Sequence, residues 1–163
     1  MLARIALGLL YRVLPAREAY AHCDIPCGIY DPIAAKIAAQ TVLKMVMRIQ
    51  SLPPPDPQKP ETEVAYQNSL ARYIAVKEHH AELCKRELDI LWHDYFKPEH
   101  LAKYPDLHTL FWNTLKLASR CKQTVDRKAA EDLVAAVDRI AEVFWETKGI
   151  KYADPYAQAR FGT

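Results

Sequence analysis

Residues 61–95 read ETEVAYQNSLARYIAVKEHHAELCKRELDILWHDY. Within them Leu70, Ile74, Lys77, Ala81, Cys84, Leu88, Leu91 and Tyr95 recur at alternating steps of four and three. That spacing returns to one face of an α-helix every two turns and predicts a single long helix over 61–95. A heptad sustained this far suits the near-parallel packing of a helix bundle. Lys77 is the one charged member, and its stem is expected to snorkel the ammonium to solvent. Lys97-Pro98 stops the helix, and the following stretch, with Glu99-His100 and Tyr104-Pro105, reads as a loop.

The flanking segments repeat the pattern. Asp31-Pro32 marks a helix start, a capping carboxylate before a proline. Ala38, Val42, Met45, Ile49 and Leu52 then form one face of a helix over 31–52, which ends at Pro53-Pro54-Pro55-Asp56-Pro57. Asp106 can cap a helix over 106–122, with Leu107, Leu110, Thr114, Leu117 and Cys121 inward. Thr124 or Asp126 can start another, with Ala130, Leu133, Val137, Ile140, Phe144 and Lys148 in its stripe and Gly149 as its stop. No strand-like alternation occurs. The fold class is therefore all-α: an up-down four-helix bundle over 31–149, preceded by an N-terminal hook over 22–30. Residues 150–163 are expected to be a loosely held C-terminal tail.

The chain has 163 residues, enough for one domain with a proper core, since half of them are hydrophobic. A net charge of +2 gives no case for nucleic acid or a membrane surface as partner. Of the four cysteines, Cys84 and Cys121 fall on apolar stripes and read as buried free thiols. Trp92, Trp112 and Trp145 read as core or subunit-contact residues. His79, His93, His100 and His108 are scattered and read as non-ligands.

Cys23 and Cys27 are different. They lie in His22-Cys23-Asp24-Ile25-Pro26-Cys27-Gly28-Ile29-Tyr30. Before them, Met1 to Leu14 is apolar but for Arg4 and Arg12, and Ala19-Tyr20-Ala21 ends in small residues. That outline fits a removable segment over 1–21, a signal or a propeptide, cut between Ala21 and His22. Such a cut frees an α-amine beside Cys23. The amine, the Cys23 amide nitrogen, the Cys23 thiolate and the Cys27 thiolate can then chelate one metal in a plane, with the His22 imidazole approaching axially. A planar site of nitrogen and sulfur favours Ni(II) or Cu(II) over zinc. Two alternatives use the same residues: a non-catalytic nickel- or zinc-binding bundle, and a thiol-redox protein with a Cys23–Cys27 disulfide.

The hook, continued by Asp31-Pro32, resembles the N-terminal nickel hook of the nickel-containing superoxide dismutase family. So do Leu91-Trp92-His93-Asp94-Tyr95-Phe96-Lys97-Pro98, Lys103-Tyr104-Pro105-Asp106-Leu107-His108 and Phe144-Trp145-Glu146-Thr147-Lys148. The resemblance implies an oxidoreductase that converts superoxide to oxygen and hydrogen peroxide by Ni(III)/Ni(II) cycling. It implies one nickel ion per subunit, bound by His22, Cys23 and Cys27, with Pro26 cis. It also implies a homohexamer, and removal of 1–21 requires a processing protease. Tyr30 matches the family tyrosine beside the open axial face, and Tyr95 and Asp94 match groups that hold it. Ala38 and His80 stand where the family has a glutamate and an arginine that fix the axial imidazole, so His80 or a backbone carbonyl would have to substitute. Lysines such as Lys97 are expected to steer the anionic substrate. The chain is read as cytoplasmic, with export as the alternative.

Overall fold

The computed structural model describes residues 28–161, and no strand occurs among them. In chain order the helices are α1 (Ile33–Gln50), α2 (Pro60–Ile90), a π-helical turn (Leu91–Tyr95), α3 (Pro98–Lys103), α4 (Leu107–Gln123), α5 (Arg127–Thr147) and α6 (Ala157–Phe161). α1 packs against α2 and α5, and α4 packs against the same two. The four long helices therefore close a ring, the four-helix bundle that the heptads predict.

Local chemistry sets the boundaries. The Ile33 N–H donates to Asp31 Oδ1 at 2.8 Å, so the carboxylate holds the chain as it enters α1. Pro60 occupies the first turn of α2, where its missing N–H costs nothing. Asp126, rather than Thr124, caps α5, accepting the Ala129 N–H at 3.1 Å. Gly149 follows α5 with a φ of +72°, a left-handed conformation that favours glycine.

Periodicity places most of the core correctly. Ala130, Leu133, Val137, Ile140 and Phe144 of α5 are buried, as are Ala81, Cys84, Leu88 and Leu91 along α2 and the turn after it. The stripe of α1 is rotated from the expected one. Ala35, Ala38, Ala39, Val42 and Val46 are buried, whereas Met45 and Ile49 are only half-buried. The alanines let α1 approach both α2 and α5 closely, and the larger side chains flank that contact. On α4, Phe111 and Ala118 join Leu107, Thr114 and Cys121 in the core, with Leu110 and Leu117 packed at its margin.

Further expectations are corrected. Lys77 does not snorkel: it is 2 % exposed, and its ammonium donates to the Cys121 and Lys122 carbonyls at 2.5 and 2.6 Å. Those carbonyls belong to the last turn of α4, which has acceptors without intrahelical partners and the negative end of the helix dipole. The stretch after Phe96 is not all loop. It contains α3, opened by Pro98 and held by the Lys97 N–H donating to His100 Nδ1 at 3.1 Å. Lys148 does not extend the inward stripe but is exposed.

The C-terminal segment is not loosely held either. Lys36, only 3 % exposed, points from α1 into a set of three partners. Its ammonium donates to Tyr152 Oη at 2.8 Å, pairs with Asp154 at 2.7 Å, and lies 2.6 Å from Asp138 Oδ1 of α5. The Asp138 contact is an ion pair, not aligned as a hydrogen bond. Arg160 of α6 binds the same Asp154. No apolar periodicity signals this attachment, because polar groups make it.

Replacing Lys36 with Met should cost about 2–3 kcal/mol, below the range for a fully buried pair because Asp138 is partly exposed. Burial pushes the Asp154 carboxyl upward, but the Lys36 and Arg160 cations outweigh it and hold it below the ordinary carboxylate range. A depressed folded-state value means that this stabilisation is present above the unfolded value and lost as pH falls through the folded one. Hydrogen exchange of 150–161, taken relative to the intrinsic rate at each pH, should therefore accelerate below about pH 4. In Lys36→Met it should be fast at neutral pH as well; unchanged protection in the variant would contradict the attachment.

Candidate metal centre

The described chain begins at Gly28, whose φ of +72° turns the backbone in a way few other residues tolerate. Two residues later Tyr30 lies against Tyr95, with ring centroids 5.5 Å apart and planes tilted by 54°. This contact brings together two of the residues expected at the site, one from before α1 and one from after α2. Asp94, the third, is exposed, and no hydrogen bond or ion pair joins its side chain to the described residues.

Tyr95 sits at the end of the π turn, where five residues per hydrogen-bonded ring replace four. The Phe96 N–H donates to the Leu91 carbonyl at 3.0 Å, and Phe96 then leaves the helix in an extended conformation. The phenol ring is enclosed by Phe144 at 4.4 Å, Phe96 at 5.1 Å and His100, stacked at 5.6 Å with an 18° interplanar angle. The Lys148 ammonium lies 5.2 Å from the centroids of both Tyr95 and Phe144. A cation over an aromatic face is attracted by the ring quadrupole. The Tyr95 hydroxyl is 2.5 Å from Thr147 Oγ1.

Thr147, His100 and Lys148 received no role at the site from sequence; Lys148 was placed in an inward stripe and His100 among the non-ligands. Thr147 was legible only as part of a quoted motif; its position three residues after Phe144 is the signal that the two share a helix face. Lys97, the expected steering lysine, is exposed.

His22, Cys23, Pro26 and Cys27 lie outside the described residues. Among the described residues no group of three or more His, Cys, Asp or Glu side chains could hold a metal ion. Cys84 and Cys121 are buried free thiols, as expected. Burial pushes the Cys84 thiol up to about 12 and the Cys121 thiol up to about 11. Both stay protonated near neutrality, and a protonated thiol is neither nucleophile nor ligand. Ala38 is fully buried and offers no side-chain donor. His80 is half-exposed and its Nδ1–H donates back to the Val76 carbonyl at 2.9 Å, so only Nε2 remains to bind anything else.

A model of the nickel-containing superoxide dismutase family matches residues 17–148. The chain belongs to that family. It is 37% identical over 134 residues to the nickel superoxide dismutase of Streptomyces seoulensis, covering 82% of this chain and 93% of the relative. It is 38% identical over 128 residues to that of Streptomyces coelicolor, covering 78% of this chain and 88% of the relative. A native nickel superoxide dismutase structure superposes with a TM-score of 0.67 at 38% identity, covering 78% of this chain and 99% of that one. The nickel superoxide dismutase match ends at residue 148, so the segment held by Lys36 lies beyond it.

The donor set fits nickel. The thiols of Cys23 and Cys27 and the imidazole of His22 are of the sulfur and nitrogen kinds that a planar nickel site takes, and in sequence they stand just before the described segment that leads to Tyr30. Cys84 and Cys121 should remain unmodified when the folded protein is treated with a thiol reagent at neutral pH and mapped by mass spectrometry. Labelling of either before unfolding would contradict their burial.

Proposed function

We propose that the chain, cut between Ala21 and His22, dismutes superoxide to oxygen and hydrogen peroxide with one nickel ion per subunit. Family membership over most of the chain carries the activity and the metal. His22, through its α-amine and imidazole, Cys23, through its amide and thiolate, and Cys27, through its thiolate, would hold the ion. Nickel, when bound, supplies the one-electron oxidation and reduction that the two halves of the reaction need.

The chain's own residues shape the approach to that ion. Tyr30 and Tyr95 form an aromatic wall where the hook joins the bundle, and this contact is the single observation that supports their role beside the metal. Asp94, next to Tyr95, is the third member of the set, and its exposure leaves it able to meet the hook. His80 Nε2 is the side-chain group best suited to replace the family's missing arginine. Lys148 and the exposed Lys97 place positive charge on the aromatic side, which favours arrival of an anion.

We also infer a homohexamer, processing by a protease and a cytoplasmic location. Exposed apolar side chains support assembly: Ile29 is 82% exposed and Trp112 is 58% exposed. No helix among the described residues is long and apolar enough to cross a membrane.

Cys23→Ser and Cys27→Ser should each abolish dismutase activity, by about 10²-fold or more if the removed ligand acts in the transition state. Both should fold normally by circular dichroism. Retained activity in either would refute the thiolate assignment. The natural protein should have an intact mass beginning at His22, and one extra residue before His22 should strongly reduce nickel content and activity.

A further inference from the structure

Thr147 is the last residue of α5. Its Oγ1 is 2.6 Å from the Phe144 carbonyl and 2.5 Å from the Tyr95 hydroxyl. A carbonyl oxygen only accepts, and a threonine hydroxyl has one proton to give. Phe144 lies in the last turn of α5, where carbonyls lack the next turn's N–H groups and take other donors. The Thr147 proton therefore goes to Phe144. Between Thr147 and Tyr95, the phenol must then be the donor.

This fixes the direction of the Tyr95 O–H bond. Its hydrogen points toward α5, and what the oxygen presents elsewhere is lone pairs. The ring cannot swing to change this, because Phe144, Phe96 and His100 enclose it. We propose that Thr147 is a positioning residue that makes Tyr95 a hydrogen-bond acceptor toward the metal side, so that small anions find no donor there and do not linger. A protonated species or a water can still donate to Tyr95. The anionic substrate and its analogues would instead be drawn by the positive charge of Lys148, whose ammonium lies 5.2 Å from the Tyr95 and Phe144 ring centroids. This inference rests on the placement of Tyr95 beside the metal under the proposed function.

The test uses mature, nickel-loaded protein, with azide as the small-anion probe. In Thr147→Val the side chain keeps its shape but accepts nothing, and the Tyr95 proton is released to other partners. Azide inhibition should tighten by about two- to tenfold, the worth of one hydrogen bond. Thr147→Ser should restore the original value. The tyrosine doublet in ultraviolet resonance Raman, taken as the difference from Tyr95→Phe, should move away from its strong-donor intensity ratio in Thr147→Val, as the short bond to Thr147 gives way to weaker partners, and keep that ratio in Thr147→Ser. In a Tyr95→Phe background, Thr147→Val should change azide inhibition no further, since coupled residues fail to add. Equal azide inhibition and an unchanged Raman doublet in Thr147→Val would overturn the inference. So would a full Thr147→Val effect in the absence of the Tyr95 hydroxyl. If Tyr95→Phe itself leaves the kinetics and azide inhibition untouched, the placement of Tyr95 beside the metal fails instead.

Discussion

One aromatic ring joins the parts of this molecule that matter for its chemistry. Tyr95 stands at the end of the longest helix, touches Tyr30 where the hook enters the bundle, and is bonded to the end of α5. Each contact is modest by itself: an aromatic pair contributes about 0.5–1.5 kcal/mol beyond burial. Together they locate Tyr30, at the start of the described chain, relative to two helices that do not follow each other in sequence.

The π turn is what makes this placement possible. A regular α-helical continuation of α2 would carry Tyr95 to a different azimuth and leave Phe96 on the helix. The widened turn advances the chain by an extra residue per ring, so Tyr95 and Phe96 both reach the aromatic cluster. Phe96 then packs on Phe111 of α4 at 5.4 Å, which fastens the turn to a third helix. The departure from regularity thus serves both the core and the site.

Polar groups do the remaining fastening at two distant points. Lys77 closes the end of α4, and Lys36 holds the segment after α5. In both cases a lysine is buried because its ammonium is paired, which removes the cost that would otherwise expel it. The two lysines also illustrate why charge alone is a poor guide to exposure. Their stems pack as hydrocarbon, and only the location of acceptors decides where the ammonium ends.

Helix count, helix type and the inward faces of α2 and α5 could be read from residues alone, because apolar spacing along a helix directly records which side meets the core. The ligand set His22, Cys23 and Cys27 could be proposed from residues alone for a related reason: backbone chelation needs residues adjacent in the chain. Apart from Tyr30, what touches Tyr95 was not legible. Thr147, His100 and Lys148 are tens of residues from the hook, and their roles arise only when α3 and α5 close around the π turn. The same holds for Lys36 with Asp138, Tyr152 and Asp154. Local spacing encodes the period of each element, whereas contacts between polar groups far apart in sequence depend on rotations and offsets that only tertiary packing sets.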